Sequence, residues 1–330
     1  MKLRNILIIG YLTILTVIIG CEKYLDTPFK ERIQPVEKET GFKMEGYYIW
    51  GGSIIKVNDT YHMFASRWPA LGDFPYDYFK MSEIVRGTSE NPEGPYKFQE
   101  VVIGERDSSY WDSNMAHNPM IYKIDGEYVL FYIGSDFTTL RNGSHLLRRV
   151  GYATATDIAG PWKRLEKPLI DVESNNPAIF VEADGSVKLV YRDEKLRIYM
   201  ATAPSYTGPY TIKNDNVWPQ AKLEDFYLFK RKGLYHMIVE DNVGHVTGHV
   251  RWGAHLVSED GISDWRQHEN KVAFNHDIRY TDGSVLEAVR RERPVLFIED
   301  GYVKYLLTSV FDGTTTWCQP VKIDPPYKVD

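Results

Sequence analysis

The sequence predicts an all-β chain folded as a five-bladed β-propeller, with four-stranded antiparallel blades around a central channel. Three observations lead there. Five segments share one pattern: a polar start, a small residue or Pro, an apolar strand, a turn and an aromatic-rich strand. A second motif follows the hairpins, with a third strand, a Gly-Pro or Asp-Gly turn, and an aromatic residue opening a fourth strand. No stretch of ten residues or more carries helical periodicity. The hairpins begin 66, 58, 49 and 68 residues apart, a spacing that suits four-stranded units repeated around an axis.

Taken from the N-terminus, Lys2 and Arg4 precede an apolar run over 6–20. That run is short for a membrane span, which needs ~20 residues. It ends in Ile18-Ile19-Gly20-Cys21, which resembles a bacterial lipoprotein box. The resemblance implies a signal peptide over 1–20 and lipidation of Cys21. It places the protein in the bacterial cell envelope, at the outer membrane or periplasmic face. Residues 21–40 are charged, carry two prolines and lack apolar periodicity, so an extended tether is expected there. The propeller domain is expected over 41–330, touching the membrane only through the anchor.

The hairpins open at Gly52, Asn118, Asn176, Asp225 and Arg293. Asn58-Asp59, Asp125-Gly126, Asp184-Gly185, Lys232-Gly233 and Asp300-Gly301 supply their turns, and most of these suit a tight hairpin. Alternation such as Tyr128, Leu130 and Tyr132 predicts that one face of each strand enters a core. Tyr96, Trp162, Tyr210 and Trp265 recur at one blade position, which predicts packing between neighbouring sheets rather than ligand contact. Cys318, the remaining thiol, reads as a space-filling strand residue.

Composition excludes several classes. A hydrophobic content of 43% over 330 residues can bury a full core. A formal charge of −6 argues against a nucleic-acid partner, which requires a concentrated basic surface. Two cysteines cannot form a disulfide framework. There is no phosphate-binding glycine loop and no dinucleotide fingerprint. His245, His249 and His255 lie close in sequence, but their spacings match no standard zinc site, so no metal centre and no required cofactor are expected. A structural calcium held in the channel by carboxylates and carbonyls is the one cofactor the pattern allows. Oligomeric state leaves no trace in the sequence.

In a propeller the innermost strands converge at one mouth. The residues opening each hairpin then face one another: Gly51-Gly52, His117-Asn118, Asn175-Asn176, Glu224-Asp225 and Glu292-Arg293. Packing alone does not call for four polar pairs there. The repeats, NPAIFVEADGSVKLVY and the Glu224 strand above all, resemble the five-bladed propeller glycosidases of glycoside hydrolase family 43 and its relatives. The resemblance implies a general acid at Glu224. It puts the family's base position on Gly52 and its modulator on Asn176, neither of which is a carboxylate. The blade-four motif is Glu-Asp-Phe where the family has Glu-Gly-Pro.

Glycosidic hydrolysis usually takes two carboxyl groups. Glu224 or Asp225 is the candidate acid, and Asp112 or Glu292 the candidate base or nucleophile. Asp225 should point away from Glu224 unless the strand start is irregular. An ion pair with Arg293 would depress the Glu292 pKa. His117 is a further acid/base candidate, since an imidazole titrates near neutrality. Trp50, Arg67 and Trp68 are placed to hold a sugar with Asn118 and Asn176, Trp111 is a candidate stacking ring, and Arg293 could bind a uronate carboxylate. The expected function is an exo-acting glycosidase of polysaccharide breakdown with a carbohydrate substrate. The alternatives are a non-catalytic glycan-binding lipoprotein and a polysaccharide lyase using His117 or a Tyr as base.

Overall fold

Each of the five strand pairs forms an antiparallel hairpin in the computed structural model, which describes residues 27–136, 140–141 and 145–330. The expected signal peptide and the expected lipidation site at Cys21 lie outside the described residues. Among those described, no helix is long and apolar enough to cross a membrane.

Blade one comprises β1 (Tyr47–Val57), β2 (Thr60–Pro69), β3 (Glu83–Ser89) and β4 (Lys97–Ile103). Blade two runs outward through β5 (Met115–Ile124), β6 (Glu127–Ser135), β9 (Arg149–Ala155) and β10 (Lys163–Arg164). A side hairpin of β7 (Leu140–Arg141) and β8 (His145–Leu146) interrupts it in sequence. Blade three holds β11 (Asn175–Val181), β12 (Val187–Arg192), β13 (Ile198–Ala203) and β14 (Thr211–Asn214). Blade four holds β15 (Leu223–Arg231), β16 (Leu234–Asp241), β17 (Trp252–Ser258) and β18 (Arg266–Phe274). A small hairpin, β19 (Asp277–Arg279) with β20 (Val285–Glu287), leads to blade five. That blade has three strands, β21 (Arg290–Glu299), β22 (Tyr302–Phe311) and β23 (Thr316–Lys328).

The outer edge of blade five is covered by the chain's own N-terminal segment. Ile33 bridges Ile323, Phe42 bridges Cys318, and Gln34 N–H donates to the Lys322 carbonyl at 2.9 Å. Phe29, Ile33, Val36 and Phe42 are buried. The Phe42 ring reaches across to blade one, where a side chain at Gly87 would meet it at 3.0 Å. The expectation of an extended tether over 21–40 is therefore corrected for its described part. Its few apolar residues sit in a core and its backbone covers an open sheet edge, which would otherwise expose unpaired N–H and C=O groups.

One sequence expectation needs enlarging. β6 is buried on both faces, not one. Val129 and Phe131 enter the main core, while Leu130 and Tyr132 enter a second cluster with Phe64, Ile84 and Trp111. Each blade is a middle layer between two neighbours, so both rows of side chains on its inner strands are removed from water, while outer strands such as β4 and β14 stay largely exposed. Burying each such side chain contributes roughly 1.5–3 kcal/mol. Trp162 packs on Phe64 of blade one at 5.5 Å between ring centres, and Tyr96 and Trp265 are buried, as packing rings should be.

Candidate active site

All five inner strands begin with the same irregularity. Pairing skips between Trp50 and Ser53, His117 and Met120, Asn175 and Ala178, Glu224 and Tyr227, and Glu292 and Val295. In every case the second residue of the break is left-handed: Gly51 (φ 65°), Asn118 (55°), Asn176 (50°), Asp225 (60°) and Arg293 (57°). A bulge of this kind re-aims side chains and turns consecutive residues toward one region. It answers the question of Asp225, which lines the same cavity as Glu224. It also shifts blade one by a residue, so that Gly51, not Gly52, stands opposite Asn176 and its equivalents. A Cβ at Gly51 would lie 2.8 Å from Asn118 Oδ1, and one at Gly52 would meet Cys318 Cβ at 2.8 Å. Neither position has room for a carboxylate.

The cavity at this mouth has a volume of about 140 Å³. One wall is aromatic: Trp50, Trp68, Phe74, Tyr78 and the His117 ring. Phe74 stacks on Trp68 and lies 4.7 Å from Trp50 between ring centres. The other wall is ionic. Arg192 Nη2 contacts Glu224 Oε2 at 2.5 Å, and Asn242 donates to the other Glu224 oxygen. Arg293 donates from its backbone N–H and from Nη1 to Asp225, each at 3.2 Å, and Asn176 also donates to Asp225. Arg251 Nη1 bridges Glu292 at 2.6 Å and Glu240 at 2.8 Å.

These partners separate the carboxyl groups in pKa. Burial works to raise Glu224, but the charges of Arg192 and Arg251 and the bonds from Arg192 and Asn242 outweigh it and hold the group below its usual value. For Glu292 burial wins over Arg251, the Asp225 charge adds to it, and the group is pushed up to about 7. The expected ion pair with Arg293 does not form, because Arg293 is taken by Asp225. Burial likewise raises Asp225, and burial with the charges of Glu292, Glu224 and Asp225 lifts Glu240 well above the ordinary range. One oxygen from each of Asp225, Glu240 and Glu292 lies within 4.8 Å of the others. Such closeness favours shared protons, and it is also where a calcium would find oxygen ligands.

Several sequence candidates fall elsewhere. Asp112 is 1% exposed and outside the cavity, gripped by Arg106 and Arg164 and accepting from the Tyr132 hydroxyl at 2.6 Å. Trp111 is stacked on Tyr132 in a slot over Gly134 and Gly151, where a Cβ would come within 2.6 and 2.3 Å of its ring. It is core, with no face for a sugar. Arg67 pairs with Glu83 and lies on Tyr47 and Phe98, away from the cavity. His117 is in the wall, but burial and the charges of Arg293 and Arg148 lower it to about 3. Its Nδ1 is bonded to Ser82 Oγ at 2.8 Å. The near-neutral titration that recommended it is gone.

Glu240, Arg192, Arg251 and Asn242 were not anticipated. Strand register could have found two of them, since Glu240 pairs directly with Glu224 and Arg192 with Asn175. Arg251 and Asn242 come from the β16–β17 loop and carry no local signal. The trio His245, His249 and His255 does not converge: His249 lies on Trp252 at the surface, while His255 is buried in the sheet.

No family model matches the chain, and no curated protein sequence matches it. Solved structures do. A family 117 glycoside hydrolase from the marine bacterium Zobellia galactanivorans superimposes with a TM-score of 0.65 at 15% identity, over 90% of this chain and 91% of that one. An α-L-arabinofuranosidase from Podospora anserina, in complex with cellotriose, gives 0.62 at 15%, over 92% and 99%. A thermostable family-43 glycoside hydrolase gives 0.60 at 14%, over 88% and 91%. At these identities the shared property is the fold, a five-bladed propeller found among glycoside hydrolases.

Proposed function

We propose that the chain is a glycoside hydrolase that removes a terminal sugar from a polysaccharide at the channel mouth. One observation carries this reading: two carboxyl groups lining one cavity are pushed apart in pKa, Glu224 below its usual value and Glu292 up to about 7, so that Glu292 still holds a proton in part of the population at neutrality. Opposed environments of this kind are how a site separates an acid from its partner. In this reading Glu292 gives its proton to the leaving oxygen as the glycosidic C–O bond breaks. The Glu224 carboxylate attacks the anomeric carbon or takes a proton from the attacking water. The assignment reverses the roles that the family resemblance implies for Glu224. The half-buried rings of Phe74 and Tyr78 offer a sugar an apolar wall, with Trp50 and Trp68, 5% and 1% exposed, packed behind them rather than open for stacking. The small cavity favours a chain end over an internal unit.

The deciding experiment compares E224Q and E292Q on aryl glycosides with good leaving groups and on unactivated oligosaccharides. Loss of the proton donor is masked by a good leaving group; loss of the carboxylate partner is not. E292Q should keep most activity on the aryl substrates and lose roughly 100-fold or more on the oligosaccharides, while E224Q should lose both. The opposite pattern would return the acid to Glu224.

A binding-only reading has its own support, in the closed Gly51 position and in the Arg or Asn partner that every carboxylate in the cavity already has. Saturable glycan binding without sugar release over long incubation would establish it. The lyase reading loses His117 as its base and keeps only the tyrosine alternative, for which Tyr78 lines the cavity. Anchoring through Cys21 remains part of the proposal on sequence grounds, and C21S should release the protein from the membrane fraction.

A further inference from the structure

Blade four contains a cluster of histidines that the channel chemistry does not use. His236 on β16, His255 on β17 and His268 on β18 each present a ring nitrogen within 4.8 Å of the others. His236 Nδ1 and His255 Nε2 are 2.9 Å apart, and the His255 and His268 rings stack at 4.2 Å. His236 and His255 are buried and His268 is half-buried.

The propeller contains its own control. Counting from the bulge, His62 in blade one occupies the place of His236, and Arg86 the place of His255. There the chain of bonds is complete: Arg86 Nη1 donates to His62 Nδ1 at 2.8 Å and its Nε donates to Glu100 at 2.9 Å. A cation sits between a neutral imidazole and a carboxylate. In blade four, imidazoles replace the arginine and the carboxylate, and the bulge in β17–β18 pairing brings His268 to the third place. The ring left at 1% exposure, His255, has a buried Nδ1 with no partner among the described residues.

We propose that His236, His255 and His268 form a site for a divalent transition ion of the zinc type, which joins the three outer strands of blade four. Imidazole nitrogens bind such ions at about 2.0–2.1 Å, three of them are a common ligand set, and water completes the shell. The ion would enter at β18, where His268 is open to solvent. Ligation requires His268 to tilt out of its stack on His255, and the close His236–His255 pair to open by a few tenths of an ångström. Burial holds all three rings below their ordinary pKa, His236 at about 4, so they stand neutral and ready as ligands at neutral pH. The charges facing the cluster are mixed: Arg231 and Arg266 oppose a cation, Glu269 and Asp330 favour it. The site lies in the body of the blade and is independent of the channel carboxylates, so its test does not depend on catalysis.

The test is calorimetric titration of the chelator-stripped full chain with zinc, together with the visible spectrum of the cobalt-loaded protein. The expected results are one ion per chain, a raised Tm, and cobalt bands of tetrahedral intensity. H268A, which removes the ligand nearest solvent, should weaken zinc at least tenfold and abolish those bands while the metal-free circular dichroism stays unchanged. H249Q, outside the cluster, should bind as the parent does. Absence of stoichiometric zinc binding, or binding that H268A leaves intact, overturns the proposal and leaves the cluster a hydrogen-bonded histidine chain.

Discussion

At Glu292 the local sequence is misleading about chemistry. Its neighbour Arg293 suggests an ion pair and an acidic pKa, yet the left-handed turn at Arg293 sends that guanidinium to Asp225. Glu292 has Arg251 at 2.6 Å and Arg290 at 3.7 Å for partners and still rises to about 7, because burial, with the Asp225 charge, outweighs both cations. The expected consequence is an alkaline limb at about 7 in the pH–rate profile on unactivated substrates, where the proton donor is lost. It should be absent from the residual rate of E292Q, and a limb that persists there would assign it to another group. Gly51 gives a second test. It holds φ at 65° with Asn118 Oδ1 at 2.8 Å from where a Cβ would be, so G51A should destabilise the fold by about 1–3 kcal/mol in urea titration. A neutral outcome would mean that the blade-one mouth can open.

Elements rather than residues explain why Asp112 and Trp111 left the site. The loop between β4 and β5 turns inward against β6 and β9, where Gly134 and Gly151 leave a slot of ring thickness. Trp111 fills that slot, and Asp112 follows it into contact with Arg106 and Arg164. D112A strands two guanidinium groups in a buried place, and should cost about 3–5 kcal/mol in chemical denaturation without any change in glycan affinity. A stable D112A with lost turnover would instead return Asp112 to the catalytic set. The N-terminal segment is a second such case. Removing residues 1–42 uncovers the β23 edge and takes the Phe42 ring out of the seam between blades five and one. The truncated chain should melt at lower temperature and lose amide protection first in blade five.

For the whole molecule, the channel carboxylates make an uncommon demand on pH. Glu292, Asp225 and Glu240 are all raised, so the native state holds protons that the unfolded chain has released. Their stabilisation is full below the unfolded carboxylate range and is lost as pH rises from about 4.5 toward and beyond 7. Glu224 works in the opposite sense, stabilising above its unfolded value and losing that contribution in acid. Burial also lowers His62, His117, His236, His255, His268 and His276, which take up protons only when unfolded and so add stability as pH rises toward 6.5. The carboxylates therefore set the slope only above that point: Tm should decline between about pH 6.5 and 8, less steeply in E292Q, and a Tm that climbs over that interval would contradict the protonated cluster. The sequence by itself determined the blade count, the hairpin turns, the packing role of the recurrent rings and the mouth at which Glu224, Asp225, Glu292 and His117 meet. Each of these follows from a pattern repeated along the chain, and repetition is visible without coordinates in space. Tertiary structure alone decided which charge faces which, that Trp111 and Asp112 are core, that the N-terminal segment covers blade five, and that three histidines from β16, β17 and β18 converge. Those facts depend on burial and on contacts between residues far apart in sequence, where desolvation and through-space charge act and local order carries no record of them.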